Sequence, residues 1–324
     1  RDTQKYWIAL AAFIFLGTVI GFWWQQTTRQ SKVTGLQIQP RRITNAPGIE
    51  LYPMLSPDNH FVVYAKSTNN DNTIKLFIKS AVNLSEPARQ LTYGEDSDFH
   101  PVWSPDASQI AFTRSTPDGE CHIYSISIVS SIEQQLTTCR PIHGYSLDWS
   151  PDGSSIAYID GSVDNVGVFV LTLSSGEKRR LTCNNPCQWV DAEVKWSSDG
   201  KQLAILRSQD GFRSSHLFTL TLDGQLTQRS FADYHMHSLS WTPDDQEVLI
   251  STRRDDIFKV WRIQLNSGKF IPVELKGINV VFPQLSKDGT LLTYNETNQR
   301  DYYIDSLIIA DDSTEKQQIS IDTL

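Results

Sequence analysis

Eight side chains able to do acid–base or ligand chemistry stand at comparable places along the chain: Glu50, Asp98, His100, His143, Asp191, Glu193, His235 and His237. Each lies a few residues ahead of a recurring turn. His235 and His237 are two apart, which puts both imidazoles on one face of a strand. Carboxylates and imidazoles gathered at one mouth could bind a cation or a basic peptide, or follow pH through the imidazoles. A channel mouth that is simply solvated is the plainer reading of the same residues. No catalytic constellation accompanies them. The segment Gly144–Asp148 matches a G-x-S-x-G nucleophile elbow only in part, and the chain has no Walker loop, H-E-x-x-H pair or dinucleotide fingerprint. No catalytic residue, cofactor or metal is therefore expected.

The elements that must position these groups are repeated. A signature built on a hydroxyl and an aspartate two residues on, with a proline between them in four units, occurs six times, at Pro53–Asp58, Pro101–Asp106, Leu147–Gly153, Val194–Gly200, Leu239–Asp244 and Pro283–Gly289. Its hydroxyl residues, Ser56, Ser104, Ser150, Ser197, Thr242 and Ser286, are spaced by 48, 46, 47, 45 and 44 residues. The signature reads as a tight turn: the hydroxyl caps it, Pro presets φ, Asp suits the third place, and Gly takes the left-handed conformation. Asn59, Ala107 and Asp245 stand in for that Gly in three units, and Ala107 is the least comfortable there. The six repeat aspartates share this turn role, so they are not read as an acidic site.

Each turn leads into an apolar run such as Phe61–Tyr64, Ile110–Thr113 or Leu203–Leu206, then a third and a fourth strand. Short β-branched and aromatic runs at this spacing are strands, not helices. Four strands in about 46 residues make one blade of a β-propeller. The expectation is an all-β, six-bladed propeller. Trp103, Trp149, Trp196 and Trp241, just before the turns, should pack between sheets. Gln39–Thr44 resembles a fourth strand with no strands before it, and is predicted to close the ring on the last blade. Gln317–Ile321 competes for that edge.

Ahead of the repeats, Trp7–Trp24 carries no charge over 18 residues and has aromatic residues at both ends. As a helix it spans about 27 Å, one hydrocarbon core. The expected organisation is a cytoplasmic end (1–6), one transmembrane α-helix (7–24), a linker (25–38) and the propeller (39–322). Counting basic residues alone would put the C-terminal side in the cytoplasm, because Arg29, Lys32, Arg41 and Arg42 follow the helix. The cysteines argue the other way. In a hairpin centred on Ser130, Ser127 faces Glu133 and Cys121 faces Cys139, within disulfide reach. Cys183 and Cys187 could close a small ring, and a bridge between Cys139 and Cys183 is another option. An even number of pairable cysteines favours an oxidising compartment.

Chemistry of the surface excludes one partner class. The net charge is −8, of which the first 24 residues contribute +1, leaving −9 beyond the helix. Phosphate contacts need clustered Lys and Arg, so this part of the chain is not expected to bind nucleic acid.

The recurring Pro-x-Trp-Ser-Pro-Asp-Gly, followed by Ile-Ala-Phe, Ile-Tyr and Leu-Thr, resembles the WD40-like repeat of TolB-type propellers over residues 39–322. The same repeats occur in prolyl-oligopeptidase-like enzymes and in membrane-anchored regulators. One membrane helix running directly into such a propeller is similar to one-component regulators of the CadC and ToxR type. That resemblance implies a bacterial inner-membrane protein with a periplasmic sensor propeller, a protein or small-molecule ligand, a homodimer as one assembly, and DNA bound through a winged helix ahead of Arg1. Since the chain does not begin with Met, a start further upstream is expected. The alternatives are an envelope scaffold that binds proteins, as TolB-type domains do, and the propeller of a peptidase-like enzyme without its hydrolase domain.

Overall fold

The computed structural model describes residues 40–309, apart from 46–47, 68–72, 141–145, 163–164, 184–186, 210–212, 232–233, 255–256, 276–278 and 298–301. The run Trp7–Trp24, the linker, His143 and Gln317–Ile321 lie outside the described residues.

Six four-stranded antiparallel sheets follow one another as blades. Blade one holds Glu50–Leu55, Phe61–Ser67, Ile74–Ser80 and Arg89–Gln90; blade two holds Ser97–Trp103, Gln109–Ser115, Cys121–Ser127 and Glu133–Cys139. Blade three is Leu147–Trp149, Ser155–Asp160, Gly167–Thr172 and Lys178–Arg180, and blade four is Val190–Trp196, Gln202–Ser208, His216–Thr221 and Leu226–Gln228. Blade five contains Met236–Trp241, Glu247–Arg254, Ile257–Gln264 and Phe270–Pro272. Blade six contains Val280–Leu285, Leu291–Thr297 and Tyr302–Ile308, and its fourth strand is Arg41–Arg42 from the other end of the chain.

Ring closure is thus made by the N-terminal strand. Arg41 pairs with Ser306 and Arg42 with Asp305. The Arg42 guanidinium also reaches Asp305 at 3.1 Å and Glu296 at 2.6 Å, and lies over the Tyr303 ring. Ile43 and Thr44 donate their amides to the Ile304 carbonyl.

The second strand of each blade explains its own composition. It is covered on both faces by neighbouring blades, so it carries a continuous apolar run instead of an alternating one. Val62, Val63, Tyr64 and Ala65 are all buried, as are Ile110, Ala111 and Phe112, and Leu203 to Leu206.

The six turns share one hydrogen-bond pattern. Each hydroxyl donates to the aspartate two residues on and accepts the amide five residues on; Ser104 does so at 2.6 Å with Asp106 and 2.9 Å with Gln109. The aspartate accepts a second amide, as Asp106 does from Ser108 at 3.0 Å. All six aspartates are consumed in this way. The fourth turn position is left-handed throughout, with φ of 77° at Gly153 but also 60° at Ala107.

Both disulfides lie within a blade or its loop: Cys121–Cys139, with Cα atoms 4.9 Å apart, and Cys183–Cys187, at 5.2 Å. The hairpin register differs from the simple count. Glu133 faces Ile126 rather than Ser127, and a slip at Leu136 then brings Cys139 opposite Cys121.

Left-handed Ala is disfavoured by about 1 kcal/mol relative to Gly. Ala107→Gly is therefore expected to raise the free energy of unfolding by about 1 kcal/mol, read from urea denaturation of the full chain. An unchanged or lowered midpoint would show that the turn carries no strain at this position.

Candidate functional site

The residues that line the axis come from the innermost strands. In five blades the pairing of the first and second strands slips by a bulge, between Leu51 and Met54, Phe99 and Val102, Asp191 and Glu193, His237 and Leu239, and Val281 and Gln284. A bulge re-aims one side chain per strand. Here it brings Tyr52, His100, Glu193, Ser238 and Phe282, from five different blades, around one small space of about 20 Å³. That is room for about one water molecule. Tyr52 stacks on His100 with centroids 3.8 Å apart, and meets Phe282 edge-on at 4.6 Å. Tyr52, His100, Ser238 and Phe282 all hold positive φ, between 45° and 56°. Pro53, Pro101 and Pro283 follow three of them, on an edge where proline forfeits no ladder bond.

Above this throat, on the side of the Ser-Pro-Asp turns, a funnel of about 430 Å³ opens. All six blades contribute to its wall. Pro57, Pro105, Pro151 and Pro243 form much of the rim, with Ser198 and Lys287 in the two remaining blades. Its floor is polar in one sector: Lys195 lies 3.6 Å from Asp148, and Ser240 and Gln284 stand nearby. The size falls in the range of ligand pockets, and an apolar wall with a few convergent polar groups is their usual chemistry.

Adjacent inner strands are joined by side chains. Trp103 donates its indole N–H to the Met54 carbonyl at 3.0 Å, and Trp241 to that of Lys195 at 3.1 Å. The amides of Val194 and Trp196 donate to Ser146 Oγ at 3.1 Å and Asp148 Oδ2 at 2.7 Å; that of Leu285 donates to Ser240 Oγ at 3.0 Å.

Seven of the eight sequence candidates, all but His143, lie among the described residues, and they separate into three groups. Glu50, Asp98 and Asp191 are fully buried and lie at blade junctions instead of the channel mouth. Each faces a cation sixteen residues on, across the first two strands. Arg114 grips Asp98 at 2.7 and 3.1 Å, Arg207 holds Asp191 at 2.5 Å, and Lys66 reaches Glu50 at 3.2 Å. The threonine that ends the preceding blade completes each junction: Thr44 on Glu50, Thr92 on Asp98 and Thr182 on Asp191. Thr92 and Thr182 also accept an amide of their own blade, from Leu76 and Val168. Burial pushes the pKa of all three carboxyls up, and the neighbouring cations counter it. These groups couple blades.

His100 and Glu193 do line the throat. His235 and His237 form a pair elsewhere on blade five, Nε2 to Nε2 at 2.6 Å, with His237 edge-on to Phe258. Burial, with the neighbouring His235, pulls His237 down to about 4. Burial and the nearby Lys195 pull His100 down to about 3, so it is neutral at physiological pH. Burial lifts Glu193 to about 7, opposed by Lys195 and helped by Asp148. Among the described residues, no group of three or more His, Cys, Asp or Glu is arranged to hold a metal. Sequence reasoning missed Asp148, Lys195, Ser240 and Gln284, which sit four residues before the turn aspartate in their repeats. The strand alternation that marked the other candidates could have flagged them.

A family model described as the TolB β-propeller domain matches residues 22–185 and 145–322. The chain belongs to that family. Among curated relatives, it is 27% identical over 209 residues to the Tol-Pal system protein TolB of Francisella tularensis, covering 62% of this chain and 46% of that protein. It is 26% identical over 136 residues to dipeptidyl-peptidase 5 of Porphyromonas gingivalis, covering 38% of this chain and 20% of that one. The chain thus spans less than two thirds of the length of these relatives. Among solved structures, TolB from Acinetobacter baumannii superposes with a TM-score of 0.60 at 17% identity, over 81% of this chain and 63% of that one. An oligogalacturonate lyase in complex with manganese superposes with a TM-score of 0.58 at 11% identity, over 83% of this chain and 79% of that one. At these identities the structural likeness shows the fold alone.

The Glu193 carboxyl makes a test of the throat. A folded-state pKa raised from 4.5 to about 7 means that its contribution to stability is complete below pH 4.5 and is lost as pH rises through 7. Glu193→Gln removes that titration. The variant should match the parent near pH 4 and exceed it by up to roughly 3 kcal/mol at pH 8. Equal urea midpoints at pH 8 would show that Glu193 is solvated and not held in the throat.

Proposed function

We propose that this chain is a protein-docking propeller of the bacterial envelope, which receives its partner on the funnel face. The single observation that carries this reading is the funnel itself: a 430 Å³ axial pocket walled by all six blades, in a chain of the TolB β-propeller family. The relative named as a Tol-Pal system component supports an envelope setting. Two disulfides suit an oxidising compartment. A binding role fits the chemistry better than a catalytic one. The strongest charges of the inner strands are spent on blade junctions, and the throat admits little more than a water molecule.

A second reading rests on one further observation. The uncharged run Trp7–Trp24 suits a single-pass anchor in the inner membrane, which would hold the propeller at the periplasmic face. On that reading the propeller is the sensor of a transmembrane regulator, and docking at the funnel biases a DNA-binding domain ahead of Arg1. The residues encoded upstream separate the two: a winged helix there makes the propeller a sensor.

Site-specific photocrosslinking in living cells tests the docking role. A photoreactive residue at Lys287, on the funnel rim, should give one discrete adduct with an envelope protein. The same residue at the exposed position Val129, in blade two, should not. The adduct should vanish when Lys195 and Gln284 are both changed to Ala. Equal adducts from both positions, or none from the rim, would contradict docking at the funnel.

A further inference from the structure

The funnel floor holds more hydrogen-bond donors than its own structure uses. Lys195 and Gln284 line both the funnel and the throat, and Ser240 stands in the funnel wall. All three are nearly buried, at 8%, 9% and 6% exposure, and the surface they keep belongs to these cavities. Each spends part of its capacity on a neighbouring inner strand. Lys195 donates to the Leu147 carbonyl at 3.3 Å, and Gln284 to that of Leu239 at 3.5 Å. Ser240 Oγ accepts the Leu285 amide at 3.0 Å, which leaves its O–H to donate. An ammonium carries three N–H donors and a primary amide two. The only further acceptor of these side chains among the described residues is Asp148, 3.6 Å from Lys195. That is longer than the roughly 2.7–2.9 Å of a charge-assisted bond. A buried donor left unmade is costly, a charged one most of all, so an incoming acceptor gains at this floor.

Charge points the same way. Of the residues that line the funnel, Lys195 and Lys287 are cationic and Asp148 alone is anionic. Asp148 is already committed, because its Oδ2 accepts the Trp196 amide at 2.7 Å and its Oδ1 faces Lys195. Lys287 is exposed on the rim and has no carboxylate partner among the described residues. The other acid near Lys195 is Glu193, in the throat. Burial lifts it to about 7, so at neutral pH it offers Lys195 less than a full charge.

We propose that the funnel floor is a carboxylate-binding subsite. The docking partner presents a carboxylate, from an Asp or Glu side chain or from a chain terminus, to the Lys195 ammonium, the Ser240 hydroxyl and the Gln284 amide. Lys287 at the rim draws in the acidic segment that carries it. This rests on the protein-docking reading and adds to it the chemistry of the group that reaches the floor. Complementary charge steers such a segment inward and rejects a basic one. The tryptophan and proline walls give its flanks apolar contact.

The test uses the full 324-residue chain in detergent and an array of nonapeptides with randomised flanks. One set is capped at both ends, with Glu, Gln or Lys at the centre. A second set has Ala at the centre and either a free or an amidated C-terminus. Glu-centred peptides should bind at least tenfold tighter than their Gln isosteres, the worth of a charge-assisted bond, and Lys-centred ones should not bind. This comparison needs no variant. Lys195→Met should bring Glu-centred peptides down to the Gln level. Lys287→Met, at an exposed position, should weaken them about threefold and flatten their salt dependence. Position is read in the ¹⁵N-Trp spectrum. The Trp241 indole bonds to the Lys195 carbonyl, and its signal, identified by its loss in Trp241→Phe, should move when a Glu-centred peptide is added. Tighter binding of free-terminus peptides than of Glu-centred ones would assign the carboxylate to a chain end, and the reverse to a side chain; either supports the subsite. Glu and Gln peptides that bind equally and both move the Trp241 signal would overturn the carboxylate while the docking reading stood. A Glu preference that survives Lys195→Met, or no binding by any peptide, would overturn the subsite, and the rim adduct at Lys287 would still decide docking by itself.

Discussion

The innermost strand of every blade has one edge with no strand to pair with, and that edge faces the propeller axis. Its amides and carbonyls are too buried to be left unmade, because an orphaned backbone group costs as much as a lost hydrogen bond. The chain meets this constraint with side chains from the neighbouring blade on either side. Ser146, Asp148 and Ser240 accept amides of the next inner strand, while Trp103, Lys195, Trp241 and Gln284 donate to carbonyls of the one before. Each such bond joins residues 45 to 49 positions apart, one repeat. Blades one and two, three and four, four and five, and five and six are stitched in this way, and a second set of stitches is made by the Thr–carboxylate–cation junctions at Glu50, Asp98 and Asp191.

The site follows from how these needs are met. Bulges in five inner strands accompany the gathering of Tyr52, His100, Glu193, Ser238 and Phe282 around one small space, and all of these but Glu193 hold positive φ. Left-handed residues persist only where surrounding structure holds them, as the ring contacts of Tyr52 with His100 and Phe282 do here. On the turn side the inner strands open into the funnel. Because blades differ at single positions, the funnel is not six-fold. Its charged sector is Asp148 with Lys195, and indole stitches to the preceding blade are made by Trp103 and Trp241 alone among the described residues.

Much of this architecture was legible in the chain. Six turns at near-constant spacing fixed the blade count, and Gln39–Thr44 could be recognised as a fourth strand lacking its own blade. Cys121 and Cys139 could be paired by counting, although the bulge at Leu136 that makes the count work was not visible. The site was harder. Glu50, Asp98 and Asp191 looked like channel residues because they precede the turn, but a cation follows each by sixteen residues, at Lys66, Arg114 and Arg207. That spacing is a cross-strand pair and marks a buried junction. The throat was illegible for another reason: a bulge moves a side chain from one face to the other, and no periodicity records it. His100 and Glu193 reach the axis, whereas the pair His235 and His237 remains on blade five.

If side-chain stitches carry the central ring, the amides they satisfy must be as protected as those inside a sheet. Residue-resolved amide hydrogen exchange on the full chain measures this directly. Val194, Trp196 and Leu285, whose amides face the axis and bond to Ser146, Asp148 and Ser240, are predicted to exchange only through global unfolding. Exchange of these three amides at the rate of exposed loops would show that the inner edges are open to solvent, and the account of the ring would fail.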